Sequence, residues 1–143
     1  LTFSDPGIVE HFKSGFEEFI GNGIDLLFCN EKEALSFCGV EKVEEAFKKL
    51  KNIAKTFVIT QSEKGALIWD GEKEIDILPP RVEAIDTLGA GDLFAGAFLY
   101  AITNGKSFSE AGKLACGASS ELVTKFGARL KKTEAQKVKE IVF

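Results

Sequence analysis

Asp86-Thr87-Leu88-Gly89-Ala90-Gly91-Asp92 decides how this sequence is read. Two aspartates enclose a run in which Gly89, Ala90 and Gly91 carry nothing larger than a methyl group. Ala90 to Thr103 then has the apolar density of a buried helix, closed by Asn104-Gly105. Small residues let backbone N–H groups approach an anion closely. The first N–H groups of a helix also lack internal partners, and the helix dipole favours negative charge there. Asp92 falls in the first helical turn, where a carboxylate can orient and deprotonate a hydroxyl. Two readings fit the spacing: a strand-to-helix turn with an aspartate cap, or an anion hole with a base beside it.

The elements around this loop set its context. Leu1-Thr2-Phe3 reads as the end of a strand, and Ser4-Asp5-Pro6 as the capped start of a helix. Ile8, Phe12, Phe16, Phe19 and Ile20 recur at helical spacing up to Gly21-Asn22-Gly23. Ile24 to Cys29 and Thr56 to Thr60 are short, continuous apolar runs, the pattern of strands buried on both faces of a parallel sheet. Asn30 through Phe37 and the stretch carrying Val43, Phe47, Leu50 and Ile53 read as helices between them. Asp70-Gly71 marks a hairpin joining 66–69 to 74–78, and Pro79-Pro80 breaks the chain before a short extended run over 81–85. Ser107 with Glu110, and Thr133 with Gln136, have capping-box spacing for the last two helices, the first reaching about Phe126. Strands alternating with helices predict an α/β domain with a mostly parallel sheet, and ligands of such sheets bind beyond the carboxyl ends of the strands. The polar clusters at 30–33, 60–65 and 86–92 each follow a strand and are expected at one crevice.

Composition narrows the partners. The chain has 143 residues, suited to one domain, and a net charge of −4 with no basic block, which argues against nucleic acid or an anionic membrane as the main partner. Cys29, Cys38 and Cys116 are an odd set without a C-x-x-C pair, read as reduced, buried thiols of a cytoplasmic protein. No apolar stretch approaches the roughly 20 residues of a membrane span. A P-loop, a G-x-G-x-x-G run and the protein-kinase loops are absent from the sequence. His11 reads as a solvated helix residue. A chain that opens on a strand end and contains no Met is expected to be a piece of a longer protein.

The loop, together with the adjoining Leu93-Phe94-Ala95-Gly96-Ala97-Phe98, resembles the C-terminal signature of the ribokinase-like (PfkB) carbohydrate kinase family, D-T-x-G-A-G-D. Asn30-Glu31-Lys32-Glu33 resembles the family's N-x-x-E motif, and Val58-Ile59-Thr60-Gln61-Ser62-Glu63-Lys64-Gly65 its V-T-x-G-x-x-G strand and turn, in the same order. Residues 1–143 are therefore similar to the C-terminal part of one three-layer ribokinase-like domain, without its N-terminal half and lid.

The resemblance implies an ATP-dependent phosphotransferase acting on a hydroxyl of a sugar or ribonucleoside, with Mg²⁺ and, in some relatives, K⁺. By position, Asp92 is the base and Gly89, Ala90 and Gly91 the anion hole. Asn30 and Glu33 help place Mg²⁺ and phosphate, largely through water. Thr60, Ser62 and Gly65 run along the nucleotide, with Ser62 standing where Gly is usual. Lys64 either neutralises phosphate charge or is solvated. Asp86, with carbonyls around 123–127, matches a monovalent-cation position or else caps the turn. Cys116, Gly117 and Ser120, in the small-residue run 115–120, border the adenine pocket or pack helices closely. Phe126-Gly127-Ala128-Arg129-Leu130 resembles adenosine-kinase-like endings. The expected partner is a small sugar or nucleoside, with a homodimer left open. The alternative function is a non-catalytic nucleotide-binding or regulatory module on the same scaffold, and the fragment alone is expected to be inactive.

Overall fold

A computed structural model describes residues 1–3 and 5–142; the predicted cap at Ser4 lies outside the described residues. The chain folds as two compact units, one of Leu1–Gln61 and Leu67–Ile75, the other of Ser62–Ala66 and Asp76 onward.

The first unit holds α1 (Pro6–His11), α2 (Lys13–Ile20), β1 (Ile24–Asn30), α3 (Glu31–Cys38), α4 (Val43–Leu50) and β2 (Ala54–Thr60). β1 and β2 pair in parallel, with Leu27 opposite Phe57 and Asn30 opposite Thr60. As expected of a strand end, Thr2 bridges Phe28 of β1 in parallel. Leu27, Phe57, Val58 and Ile59 are fully buried, as the apolar runs required. Around them Phe3 meets Phe37 at 4.7 Å between ring centroids, and Phe47 meets Phe57 edge-on at 4.7 Å.

The first helix differs from its sequence reading. It breaks at Phe12, whose φ of −117° and ψ of 24° end α1 and begin α2. Val9 and Ile20 face the core, while Ile8, Phe12 and Phe19 remain exposed. The periodicity is right for a helix, but its residues divide between the core, which takes Ile20 and part of Phe16, and the surface, which keeps Ile8, Phe12 and Phe19.

β3 (Ala66–Trp69) and β4 (Glu74–Ile77) complete a four-stranded sheet in the order β1-β2-β3-β4. The expectation of a mostly parallel sheet is corrected here, because the described sheet is mostly antiparallel. The reason is connection length. A parallel crossover needs about a dozen residues, whereas β2 passes to β3 through one 3₁₀ turn, Ser62–Lys64, and β3 to β4 through the Asp70 hairpin. Asp70 Oδ1 accepts from the N–H groups of Glu72 and Lys73 and fixes that turn.

The second unit packs α5 (Ala90–Thr103) against α6 (Phe108–Val123), followed by α7 (Lys132–Val142). Phe94, Phe98, Leu114 and Leu122 are buried, and Phe98 meets Phe108 edge-on at 5.2 Å between ring centroids. Ser107 and Glu110 form the predicted capping box. The cap expected at Thr133 is displaced: α7 begins at Lys132, and Glu134 accepts from the Lys131 N–H at 2.7 Å. The run over 81–85 forms no strand. Among the described residues, no helix is long and apolar enough to cross a membrane.

Candidate active-site loop and its supports

In the second unit, Gly89 is the N-cap of α5 with φ 75° and ψ 3°, a left-handed conformation that L side chains rarely adopt. A Cβ at Gly89 would also lie 2.8 Å from the Ala128 Cβ and 3.0 Å from its carbonyl oxygen. Glycine at this position thus serves conformation and packing. Gly91 differs: a Cβ there would meet nothing within 4 Å, so the approach to its backbone is open. The Ala90 N–H donates to the Thr87 carbonyl, and the Leu93 N–H to the Gly89 carbonyl, the first helical bond. Gly91 and Asp92 follow as N2 and N3, positions whose N–H groups have no acceptor within a helix. The N–H groups of Gly91 and Asp92 are therefore available to an anion, whereas that of Ala90 is engaged by the Thr87 carbonyl. Asp92 is exposed in this first turn.

Several contacts hold the loop. Asp86 Oδ1 accepts from the Leu88 N–H at 2.9 Å, and Oδ2 accepts from the Gly127 N–H at 3.0 Å. The Gly127 bond and then the Leu88 bond lower the Asp86 pKa, so the carboxylate stays charged. The Val123 carbonyl accepts two N–H groups, from Ile85 at 2.7 Å and Asp86 at 3.2 Å. Ser119 Oγ donates to the Ala90 carbonyl at 3.1 Å and ties α6 to the start of α5. The Val123 carbonyl accepts two of the chain's own N–H donors and so offers no further lone pair to a cation, whereas each Asp86 oxygen accepts one and keeps one position.

In the first unit, Asn30 and Glu33 form a closed capping box at the end of β1. Glu33 Oε2 accepts from the Asn30 N–H and Oε1 from the Asn30 amide, both at 2.9 Å, while Asn30 Oδ1 accepts from the Glu33 N–H at 2.8 Å. Glu33 is only 4 % exposed. Burial raises its pKa, against the Asn30 backbone bond, and the Asp5 carboxylate adds to the rise. Thr60 stands opposite Asn30 in the strand register, and Gln61 Nε2 donates to Glu31 Oε2 at 2.7 Å. The 30–33 and 60–61 clusters therefore meet at adjacent strand ends. Both Glu33 oxygens are engaged within the box, and among the described residues no group of three or more His, Cys, Asp or Glu is placed to hold a metal ion.

Ser62 has φ 53°, a left-handed value that favours glycine, and its side chain is exposed like that of Lys64. Gly65, by contrast, is buried, and a Cβ there would overlap the Ile77 carbonyl. Cys116 and Ser120 are buried on α6 and Gly117 is half-buried. Burial pushes the Cys116 thiol up to about 12, so it stays neutral. Cys29 and Cys38 are buried and free as well, as expected. His11 is exposed, with Nδ1 2.8 Å from the Gly7 carbonyl oxygen. Asp5 caps α1, accepting from the Gly7 and Ile8 N–H groups. Sequence reasoning missed Ser119 and Ala128, because serine and alanine in helices and turns carry no pattern that announces a contact.

The family described as pfkB family carbohydrate kinase matches residues 1–135. The cytidine kinase of Thermococcus kodakarensis is 39% identical over 107 residues, covering 73% of this chain and 38% of its own length. Adenosine kinase 2 of Arabidopsis thaliana is 34% identical over 142 residues, covering 89% of this chain and 41% of its own. The crystal structure of a probable sugar kinase from Rhizobium etli superposes with a TM-score of 0.91 at 34% identity, over 98% of this chain and 43% of that one. The chain spans about two fifths of the length of these relatives.

Proposed function

The chain belongs to the pfkB family of carbohydrate kinases, and on that footing we propose that it is the C-terminal, nucleotide-binding and catalytic part of a single ribokinase-like domain. The complete enzyme transfers the γ-phosphate of ATP to a hydroxyl of a sugar or ribonucleoside. One observation carries this reading. Asp92 is exposed in the first turn of α5, beside the N–H groups of Gly91 and Asp92 that the helix leaves without partners and above an open approach at Gly91.

In the proposed reaction the Asp92 carboxylate accepts the proton of the acceptor hydroxyl as its oxygen attacks the γ-phosphorus. The bond from phosphorus to the β,γ-bridging oxygen breaks, and ADP leaves. The Gly91 and Asp92 N–H groups, at the positive end of α5, hold the charge on the transferring phosphoryl oxygens. Asn30 and Glu33 would orient water toward a nucleotide-bound Mg²⁺, which would supply charge neutralisation. Thr60 and Ser62 offer hydroxyl donors along the nucleotide, with Lys64 as a mobile countercharge. The small residues of α6 around Gly117 leave room for a planar base. No step runs through K⁺.

Asp92→Asn in the intact protein tests the assignment. The expected result is a fall in kcat of about 10²- to 10⁴-fold, the range for loss of a general base, with ATP affinity retained. Turnover near the wild-type level removes Asp92 from the role of base.

A further inference from the structure

We propose that Asp86 is a positioning residue. By holding the Gly127 N–H, its carboxylate locks the segment after α6 against the active-site loop and so fixes where the N–H groups of Gly91 and Asp92 point. This deepens the proposed function and rests on it.

Three observations converge on the same stretch of chain. Asp86 spans from its own turn, at the Leu88 N–H, to a segment 41 residues away, at the Gly127 N–H. The Val123 carbonyl accepts from the Ile85 and Asp86 N–H groups. Ala128 then packs against Gly89 so closely that no side chain could stand between them. The loop is thereby pinned at its start by Val123, across its middle by Asp86 and at its helix entry by Ala128. Gly127 can take its place because its φ of 104° is open to glycine. A carboxylate is the side chain this geometry requires, since two N–H donors face it and each of its oxygens accepts one. An amide of the same shape offers one acceptor and would turn its NH₂ toward the other donor.

As proposed, the clamp acts through the backbone of the loop. Its effect should fall on kcat, since a misaimed N–H costs transition-state charge stabilisation more than ground-state binding. The experiment measures kcat, both KM values and melting temperature for Asp86→Asn, Asp86→Ala, Gly127→Ala and Gly105→Ala in the intact protein. Gly105 is the control. It also has positive φ, 77°, with nothing within 4 Å of a built Cβ, but it closes α5 at the other end. Gly127→Ala and Gly105→Ala should lower the melting temperature by similar amounts. Only Gly127→Ala should lower kcat, by about tenfold, the effect of a misalignment worth about 1.4 kcal/mol. Asp86→Asn should lower kcat about tenfold and Asp86→Ala further, with KM for ATP within about twofold, on the same differential-binding argument. Excess K⁺ should restore neither.

Equal kcat losses in the two glycine variants would reduce the clamp to a stability element and overturn the proposal. Recovery of Asp86→Asn by K⁺ would overturn it in favour of a cation ligand. If Asp92→Asn is inactive while these variants turn over normally, the clamp fails and the kinase reading stands. If Asp92→Asn is active, the kinase reading itself fails.

Discussion

At the scale of single residues, the positions that depart from pattern are the ones whose reasons needed coordinates. Gly89 and Gly91 look equivalent in the sequence. One is glycine for its left-handed φ and the close approach of Ala128, whereas at the other a Cβ would meet nothing within 4 Å. The departure at Ser62 was legible in the sequence, and its consequence is a serine held at φ 53°. A non-glycine residue there costs about 1–2 kcal/mol, and glycine offsets part of that gain by its larger unfolded-state entropy. Ser62→Gly is therefore expected to raise stability by about 0.5–1 kcal/mol in denaturant titrations. If the hydroxyl also contacts phosphate, KM for ATP rises in the same variant, so stability and affinity move in opposite directions. A loss of stability sinks the strain argument.

At the scale of elements, short-range chemistry was readable and direction was not. The boxes at Asn30/Glu33 and Ser107/Glu110, the Asp70 hairpin and the extent of α5 followed from local patterns, because each is decided within a few residues. Strand direction and the break at Phe12 depend on connection length and on what covers a helix face. The Asn30/Glu33 box also carries a pH signature. Burial raises the folded-state pKa of Glu33 above its unfolded value. The cost of its charge is absent at pH below the ordinary Glu value of about 4.3, and it grows as pH rises through the folded pKa. Asp70, Asp86, Glu110 and Glu134 have lowered values and behave oppositely, their stabilisation being lost as pH falls through the folded pKa. Glu33→Gln removes one acceptor and the titration together. Relative to this variant, the wild type is expected to lose stability as pH rises from about 4.3 toward neutrality, read from urea midpoints at several pH values. A relative gain over that window contradicts the assignment.

At the scale of the whole molecule, the family was legible because seven consecutive residues of the Asp86–Asp92 loop match its signature, and the acceptor was not, because this chain spans about two fifths of its relatives' length. The first unit also carries an exposed apolar surface. Ile8, Phe12, Gly15, Phe16 and Phe19 line an apolar groove of about 310 Å³, with Phe12 64 % and Phe19 72 % exposed. Two phenylalanines this exposed side by side are uncommon on a monomer surface and favour association. Residues 1–143 prepared alone are expected to bind a hydrophobic dye and to self-associate with rising concentration. Phe12→Ser with Phe19→Ser should suppress both. The side chains already face water, so the pair should cost about 1 kcal/mol of stability or less. Sedimentation, dye fluorescence and urea unfolding of the two proteins decide the matter. A wild-type chain that stays monomeric and dye-free shows that the groove needs no cover. A double variant that unfolds shows that these rings belong to the core, and that the helical periodicity of Ile8, Phe12, Phe16 and Phe19 marks a buried stripe after all.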